Sequence, residues 1–222
     1  MPDDMPPREQ IVGQLYSAVL SDVLDALGRP DQAMRPFIRP LDEASVLFGR
    51  ARTGLYMNTY HVPQDRNPYE LEIALVDDLK LGEVALLACG GPTERIAPWG
   101  ELLTTAARCR GAAGCVTDGL VRDTRHIRAM QFPVFHGGIG PLDSKGRGEM
   151  VAIDVPVVCA GVRIEPDDLV FGDADGVVVL PRAVAAAAIR EALAKVSSED
   201  AARAALETGR TLRDAYASFG VL

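Results

Sequence analysis

Two short segments of this chain carry residue types that could perform chemistry together. Glu101 follows Gly100, and twenty residues separate Glu101 from the pair Arg122-Asp123. A guanidinium binds carboxylates and oxyanions through paired N–H donors, whereas a carboxylate oxygen is a preferred ligand of hard divalent cations. If the two segments meet in the fold, they could support metal-assisted chemistry on a small oxo-acid.

The first segment also predicts a cradle for an anion. Gly100 stands where a helix would begin, and the backbone amides of Leu102 and Leu103 would then face an anion at the positive end of the helix dipole. The apolar side chains of Leu102 and Leu103 could point inward. Gly100 to Leu103 are therefore candidate substrate-binding residues.

Each segment has an ordinary structural interpretation as well. Asp123 follows a predicted strand and precedes a predicted helix, so it could cap that helix with Arg122 as its surface partner. Glu101 could be a first-turn acid that interacts favourably with the helix dipole. Taken alone, each segment favours the structural interpretation, and only their combination is specific to a site.

Other catalytic patterns find little support. His126 lies four residues after Arg122, on the same predicted helix face, and could reach the site. The three histidines form no HxH or HExxH motif, so a histidine zinc centre is not expected, and no serine stands in a GxSxG motif. Asp173-Ala174-Asp175-Gly176 has no glutamate at the twelfth position of a calcium loop, and it predicts a hairpin turn.

Composition limits the class of protein. The chain has 222 residues, 48% of them hydrophobic, and a net charge of −8. This charge argues against a nucleic-acid partner, although Arg122, Arg125 and Arg128 could form a local basic pocket. The four cysteines show no CxxC spacing and are expected to be reduced. Residues 1–10 show no basic-then-apolar leader and no apolar run is long enough to span a membrane, so we expect a cytoplasmic protein.

Hydrophobic periodicity predicts alternating helices and strands. Helices are expected at 8–27, 67–79, 102–110, 123–130 and, as one long or two short helices, 183–218. Strands are expected at 44–56, 84–89, 113–117, 133–135, two within 149–162 split by Pro156, and a hairpin of 168–172 with 176–180. Gly49 and Gly54 could mark bulges or bends, Asp118-Gly119 a turn, and 137–140 another turn. The mixture predicts layered α/β architecture with a mixed sheet, as a domain of residues 1–182 and a C-terminal helical extension of residues 183–222.

Four segments resemble one known family, which contains the regulator of ribonuclease activity A and the 4-hydroxy-4-methyl-2-oxoglutarate aldolases. The resemblance covers roughly residues 17–181 and continues into a tail at 211–216 and 220–222. Its most specific part is the acid-X20-Arg-Asp spacing, where this chain has Glu101 and many members have aspartate. The segments are Gly100-Glu101-Leu102-Leu103, Gly119-Leu120-Val121-Arg122-Asp123, 156–162 and 168–177.

The resemblance implies a swivelling β/β/α-type domain that assembles as a homotrimer or hexamer, with clefts between subunits. It implies a class II pyruvate aldolase that needs a divalent metal, Mg²⁺ or Mn²⁺, and takes a small oxo-acid substrate. Oxaloacetate decarboxylation is an expected side activity, because it passes through the same pyruvate enolate.

The resemblance also implies roles for individual residues. Asp123 would bind the metal, Arg122 would contact the oxygen that becomes the enolate, and Gly100 to Leu103 would hold the substrate carboxylate. Glu101 would act through water bound to the metal, and Glu199 of a neighbouring subunit is the nearest match to a further carboxylate used by longer members. Shorter relatives bind and inhibit a ribonuclease, so a non-catalytic regulator is the alternative function.

Overall fold

The computed structural model describes residues 5–221. The sequence interpretation of residues 1–10 as lacking a leader therefore falls partly outside the described residues, at residues 1–4. The same holds for Leu222, the last residue of the tail resemblance. Within them the seven helices are α1 (Arg8–Gln14), α2 (Ser17–Ala26), α3 (Glu70–Asp77), α4 (Glu101–Cys109), α5 (Thr124–Ala129), α6 (Ala185–Glu207) and α7 (Leu212–Phe219). The ten strands are β1 (Arg39–Pro40), β2 (Leu47–Asn58), β3 (Glu83–Ala88), β4 (Gly114–Val121), β5 (Val134–Ile139), β6 (Gly148–Ile153), β7 (Val157–Cys159), β8 (Val162–Ile164), β9 (Leu169–Asp173) and β10 (Gly176–Leu180).

A mixed sheet organises the fold, as predicted. Its strand order is β1-β5-β4-β3-β2-β9-β10, with β6 paired to the second half of β2. The four central strands β2 to β5 run parallel to one another, whereas β1, β6, β9 and β10 pair antiparallel with their neighbours. Ala33, in the segment that leads into β1, forms an antiparallel bridge with Val178 of the other edge strand β10, so the sheet nearly closes into a barrel. The strands β7 and β8 form a separate small hairpin.

Buried apolar side chains fall into three clusters that fix where the helices lie. Helices α3, α4 and α5 pack on β3 and β4 around the fully buried Trp99. Helices α1, α2 and α6 cover β2, β9 and β10 around Phe48 and Phe171. A third cluster lies among the sheet strands and the β7–β8 hairpin. The first of these packings brings the start of α4 to the carboxyl end of β4, where the two candidate segments lie.

The predicted helix at 8–27 is two helices. Leu15 and Tyr16 adopt extended backbone between α1 and α2. The reason is a distant contact, because the amide and hydroxyl of Ser17 both donate to the carboxylate of Asp173 at 2.7 Å. This contact fixes the start of α2 against the β9–β10 hairpin.

Both predicted turns around the centre of the sheet are wrong. Asp118 and Gly119 lie within β4, where the pairing with β5 is irregular, and Gly137 and Gly138 lie within β5. A Cβ on Gly137 would stand 2.5 Å from the carbonyl oxygen of Asp118, so these glycines permit close strand approach and do not form turns.

Three smaller expectations also change. Gly49 and Gly54 lie inside β2 without a bulge at either position, and the register shift of β2 falls between Leu55 and Tyr56. Of the two strands predicted within 149–162, the one that follows Pro156 is divided into β7 and β8. Ala160 and Gly161 take positive φ angles of 46° and 88° there and turn the chain. The predicted hairpin of β9 with β10 is confirmed.

The C-terminal segment forms two helices, α6 and α7. Helix α6 packs against α2 through Ala185, Ala188, Ile189 and Ala192. Among residues 5–221, no helix combines the length and apolar character needed to cross a bilayer. The four cysteines are free thiols, and all but Cys109 are buried.

Candidate active site

The structure brings the two candidate segments together in one cleft. The cleft has a volume of about 290 Å³ and lies at the carboxyl end of β4. Every residue predicted from the two segments lines it. The full lining is Tyr69, Glu72, Ile73, Ala97, Pro98, Gly100, Glu101, Leu102, Leu103, Arg122, Asp123, Asp143 and Ser144.

Backbone pairing next to Gly100 joins the two segments. Trp99 forms an isolated parallel bridge with Val121, and the amide of Arg122 donates to the carbonyl oxygen of Trp99 at 3.0 Å. The indole of Trp99 is fully buried and stacks on Phe132. The start of α4 is therefore held against the end of β4 by a core residue.

Asp123 does not cap the helix that follows it. It precedes α5 in the left-handed region with φ 57°, and its side chain makes no capping hydrogen bond to α5. Its Oδ2 instead accepts from the amide of Glu101 at 3.2 Å. The capping interpretation is thus wrong for Asp123, and its carboxylate faces the start of α4. Asp123 is one of five non-glycine residues with a positive φ among residues 5–221, and aspartate adopts this region more readily than most residues.

Gly100 is required by this close approach. A Cβ at this position would stand 2.7 Å from Asp123 Oδ2 and 3.2 Å from Arg122 Cγ. The first amides of a helix have no intrahelical acceptor, so those of Leu102 and Leu103 are available to an anion in the cleft. The expectation that both leucine side chains point inward is half wrong. Leu103 packs on the core, but Leu102 is 77% exposed.

The guanidinium of Arg122 is held loosely and is half-exposed to the cleft. Its Nε lies 3.7 Å from Asp123 Oδ2, and its Nη1 lies 3.9 Å from Asp143 Oδ1 and 3.4 Å from the carbonyl oxygen of Leu142. These distances are longer than the 2.7–2.9 Å of a strong charge-assisted hydrogen bond. Arg122 therefore keeps donors for an oxyanion in the cleft.

Glu101 also has a structural contact. It lies in the first turn of α4, and its Oε1 accepts from the hydroxyl of Thr105 at 3.0 Å. This position is compatible with both interpretations of Glu101, as a first-turn acid and as a group of the site.

The structure adds three ionisable residues that the sequence analysis missed. Tyr69 donates to Asp143 Oδ2 at 2.7 Å, and Glu72 accepts a hydrogen bond from the hydroxyl of Tyr56. Burial would raise the pKa of Asp143, but the hydrogen bond from Tyr69, two backbone amides and the charge of Arg122 lower it below its usual value. Asp143 is therefore a carboxylate that faces Arg122. The three-residue spacing of Tyr69 and Glu72 could have placed them on one helix face, but no sequence signal links them to Asp143.

Two other candidates lie outside this cleft. His126 lines a shallow depression on the other side of Arg122 and Asp123, together with Arg125. Glu199 lies on α6 and accepts a hydrogen bond from the hydroxyl of Tyr16 in the same chain. Arg128, expected in a basic pocket with these arginines, donates to the carbonyl oxygen of Leu41 instead.

The donor set of the cleft fits one weakly ligated divalent cation. Asp123 Oδ1 accepts no hydrogen bond from residues 5–221, so it is free to bind a cation. No group of three or more His, Cys, Asp or Glu side chains within those residues could hold a metal. Water would therefore supply most of the other ligands, a pattern that Mg²⁺ favours.

Comparison with known proteins gives the context of this cleft. A family model described as RraA-like, Aldolase/RraA, matches residues 17–179. A protein of Halalkalibacterium halodurans provisionally named 4-hydroxy-4-methyl-2-oxoglutarate aldolase is 34% identical over 84% of this chain and 82% of its own length. A Thermus thermophilus protein named 4-hydroxy-4-methyl-2-oxoglutarate aldolase is 33% identical over 60% of this chain and 78% of its own length.

A solved structure adds a relative that is described as a member of a ribonuclease-inhibitor family. Streptomyces coelicolor RraAS2, described as an unusual member of the RNase ES inhibitor RraA protein family, superposes with a TM-score of 0.76 at 26% identity. The match covers 91% of this chain and 99% of RraAS2. Sequence and fold agree, and the chain belongs to the RraA-like family of aldolases and RraA proteins.

Proposed function

We propose that this chain is a class II pyruvate aldolase, a lyase that depends on a divalent metal, Mg²⁺ or Mn²⁺. It cleaves a 4-hydroxy-2-oxo diacid of the 4-hydroxy-4-methyl-2-oxoglutarate or 4-carboxy-4-hydroxy-2-oxoadipate type into pyruvate and a second oxo acid. The observation that carries the proposal is the convergence of Arg122, Asp123 and the free amides of α4 on one cleft. The aldolase names of the relatives support the same class of reaction.

The residues of the cleft suit the charges of such a substrate. The amides of Leu102 and Leu103 bind the carboxylate next to the 2-oxo group, with the helix dipole of α4 behind them. Cleavage of the C3–C4 bond places negative charge on the C2 oxygen, and the loosely held guanidinium of Arg122 stabilises it there. Asp123 would hold the divalent cation, which would supply Lewis-acid stabilisation of the same developing charge.

The same arrangement favours a second reaction. Loss of CO₂ from oxaloacetate leaves the same pyruvate enolate, so Arg122 stabilises an identical charge. Oxaloacetate decarboxylase activity is therefore part of the proposal, as is assembly into a homotrimer or hexamer. Cytoplasmic location and the lack of a nucleic-acid partner stay predictions.

The test is pyruvate release with and without a chelator, on the parent chain and on Asp123→Ala. The matched control is Asp175→Ala, which removes an exposed carboxylate from the β9–β10 turn. We expect chelation and Asp123→Ala each to reduce the rate by roughly 100-fold or more, the scale of a lost metal contribution. Pyruvate release that is indifferent to both treatments refutes the metal-dependent aldolase.

The second candidate is a non-catalytic regulator that binds and inhibits a ribonuclease, favoured by the likeness to RraAS2. This function needs neither the metal ligand nor the anion cradle. Inhibition of a purified ribonuclease by both the parent chain and Asp123→Ala, without pyruvate release by either, would support it over the aldolase.

A further inference from the structure

A second group of side chains faces the cleft from α3 and from the connection between β5 and β6. Glu72 projects from α3 and accepts the hydrogen bond of Tyr56, a buried residue of β2. Tyr69, the residue directly before α3, donates to Asp143, whose other oxygen faces Arg122. The roles proposed above use Arg122 and leave the other four residues without one.

The surroundings of Glu72 bring the pKa of its carboxyl group close to neutral pH. Burial raises the pKa of Glu72 to about 7; the hydrogen bond from Tyr56 and the charge of Arg122 lower it, whereas the charge of Asp143 raises it. A group with a pKa near the working pH can both accept and return a proton, which is what general acid–base catalysis requires.

Asp143 and Tyr69, which also line the cleft, are less suited to proton transfer. The pKa of Asp143 is held below its usual value, so it stays ionised beside Arg122. Burial and the hydrogen bond to Asp143 raise the pKa of Tyr69 to about 12, so Tyr69 stays protonated. Asp143 thus keeps a fixed charge beside Arg122 and Tyr69 a fixed proton, whereas the pKa of Glu72 lies near neutral pH.

On the basis of the proposed aldolase function, we propose that Glu72 is a catalytic residue that carries the proton from the 4-hydroxyl oxygen to C3. Its carboxylate takes the hydroxyl proton, the freed electron pair forms the C4 carbonyl, and the C3–C4 bond breaks. The electrons of that bond form the C2–C3 double bond of the pyruvate enolate. The protonated Glu72 then gives its proton to C3, which completes the methyl group of pyruvate and restores the carboxylate.

This role separates the two reactions of the cleft. Oxaloacetate has no 4-hydroxyl group, so its decarboxylation needs no base at that position. A variant that lacks the Glu72 carboxylate should lose aldol cleavage far more than oxaloacetate consumption. It should also lose exchange of the pyruvate methyl hydrogens with deuterium oxide, which requires proton transfer at C3.

The experiment compares Glu72→Gln with Glu70→Gln, which removes an exposed carboxylate from the first turn of the same helix. Three rates are measured with Mg²⁺ present: cleavage of 4-hydroxy-4-methyl-2-oxoglutarate, consumption of oxaloacetate, and deuterium entry into the pyruvate methyl group. For Glu72→Gln we expect cleavage and exchange to fall by roughly 100-fold or more, the usual contribution of a general base, and decarboxylation to fall by less than about tenfold. Glu70→Gln should match the parent in all three.

The possible failures are distinguishable. Cleavage by Glu72→Gln at the rate of Glu70→Gln overturns the role of Glu72 and leaves the aldolase intact. Equal losses of aldol cleavage and of oxaloacetate consumption also overturn it, because Glu72 would then be needed for C–C bond breaking in a substrate that has no 4-hydroxyl proton to remove. A parent chain without either activity overturns the proposed function itself, and the role of Glu72 with it.

A second variant tests the same role if Glu72→Gln does not fold. Tyr56→Phe keeps the aromatic ring in the core and removes the hydrogen bond that lowers the pKa of Glu72. The acidic limb of the pH profile for cleavage should therefore move to higher pH, while the profile for decarboxylation stays in place. The ionisable groups that face Glu72 are Tyr56, Cys89, Tyr69, Arg122 and Asp143. An acidic limb that does not move overturns the proposal.

Discussion

Gly100→Ala tests directly whether the close approach of the two segments matters for activity. The new Cβ would stand 2.7 Å from Asp123 Oδ2, whereas ordinary contacts begin at 3.4 Å. Asp123 must therefore move by roughly 0.7 Å, and Arg122 by a few tenths of an ångström. A displacement near 1 Å in a catalytic group costs about 100-fold, so kcat/KM should fall roughly 30- to 100-fold, or about 2 to 3 kcal/mol in transition-state stabilisation.

The fold itself should tolerate this change. Gly100 has φ −154° and ψ −169°, extended backbone that alanine also adopts. The assay is pyruvate release at saturating Mg²⁺, with a thermal melt to confirm that the variant is folded. Gly13→Ala is the matched control, because a Cβ there meets no atom within 4 Å. A normal melt together with activity within about threefold of the parent would show that crowding at Asp123 has no effect on the reaction, contrary to the expected loss.

Two further outcomes follow from the hydrogen bonds and the buried groups. Tyr69→Phe removes the donor to Asp143, so the carboxylate that faces Arg122 loses a hydrogen bond that fixes its position; kcat/KM for pyruvate release should fall roughly three- to tenfold, corresponding to about 0.5–1.5 kcal/mol for one hydrogen bond. An unchanged kcat/KM would exclude a positioning role for Tyr69. Burial lowers the pKa of His136 to about 4, so the unfolded chain takes up a proton first as the pH falls from about 6.5 to 4, and the folded state loses stability over that range. Denaturant titrations at pH 7 and pH 5 should differ by about 2 kcal/mol more in the parent than in His136→Gln, and equal differences would show that His136 titrates normally.

Local sequence patterns predicted those parts of the fold that depend on near neighbours. The β9–β10 hairpin followed from Asp173-Ala174-Asp175 between two apolar runs, and the helix after Gly100 followed from apolar spacing. The break at Leu15 and Tyr16 did not, because it depends on a contact with Asp173 far along the chain. Apolar periodicity continues through that break, so the pattern alone favours a single helix.

The candidate site divides in the same way. The spacing of Glu101, Arg122 and Asp123 identified one side of the cleft, because those residues lie at the ends of a helix and a strand that pack together. The opposite side depends on Tyr69 and Asp143, which are 74 positions apart and meet only through packing. The left-handed backbone of Asp123 could not be predicted either. An aspartate between a strand and a helix suits a helix cap as well as a metal ligand, and the sequence does not distinguish the two.

The irregular part of β4 explains why the cleft lies at this strand. Asp118 is fully buried there, and its carboxylate accepts from the amides of Cys89 at 2.6 Å, Gly91 at 2.8 Å and Ala160 at 3.3 Å. A buried carboxylate is costly without such partners, and three amide donors stabilise it. These bonds fix the end of β3 and the β7–β8 turn around β4, while the pairing of β4 with β5 shifts between Thr117 and Leu120. Arg122 and Asp123 directly follow the end of this strand, so the hydrogen bonds of Asp118 hold in place the segment that leads into the cleft.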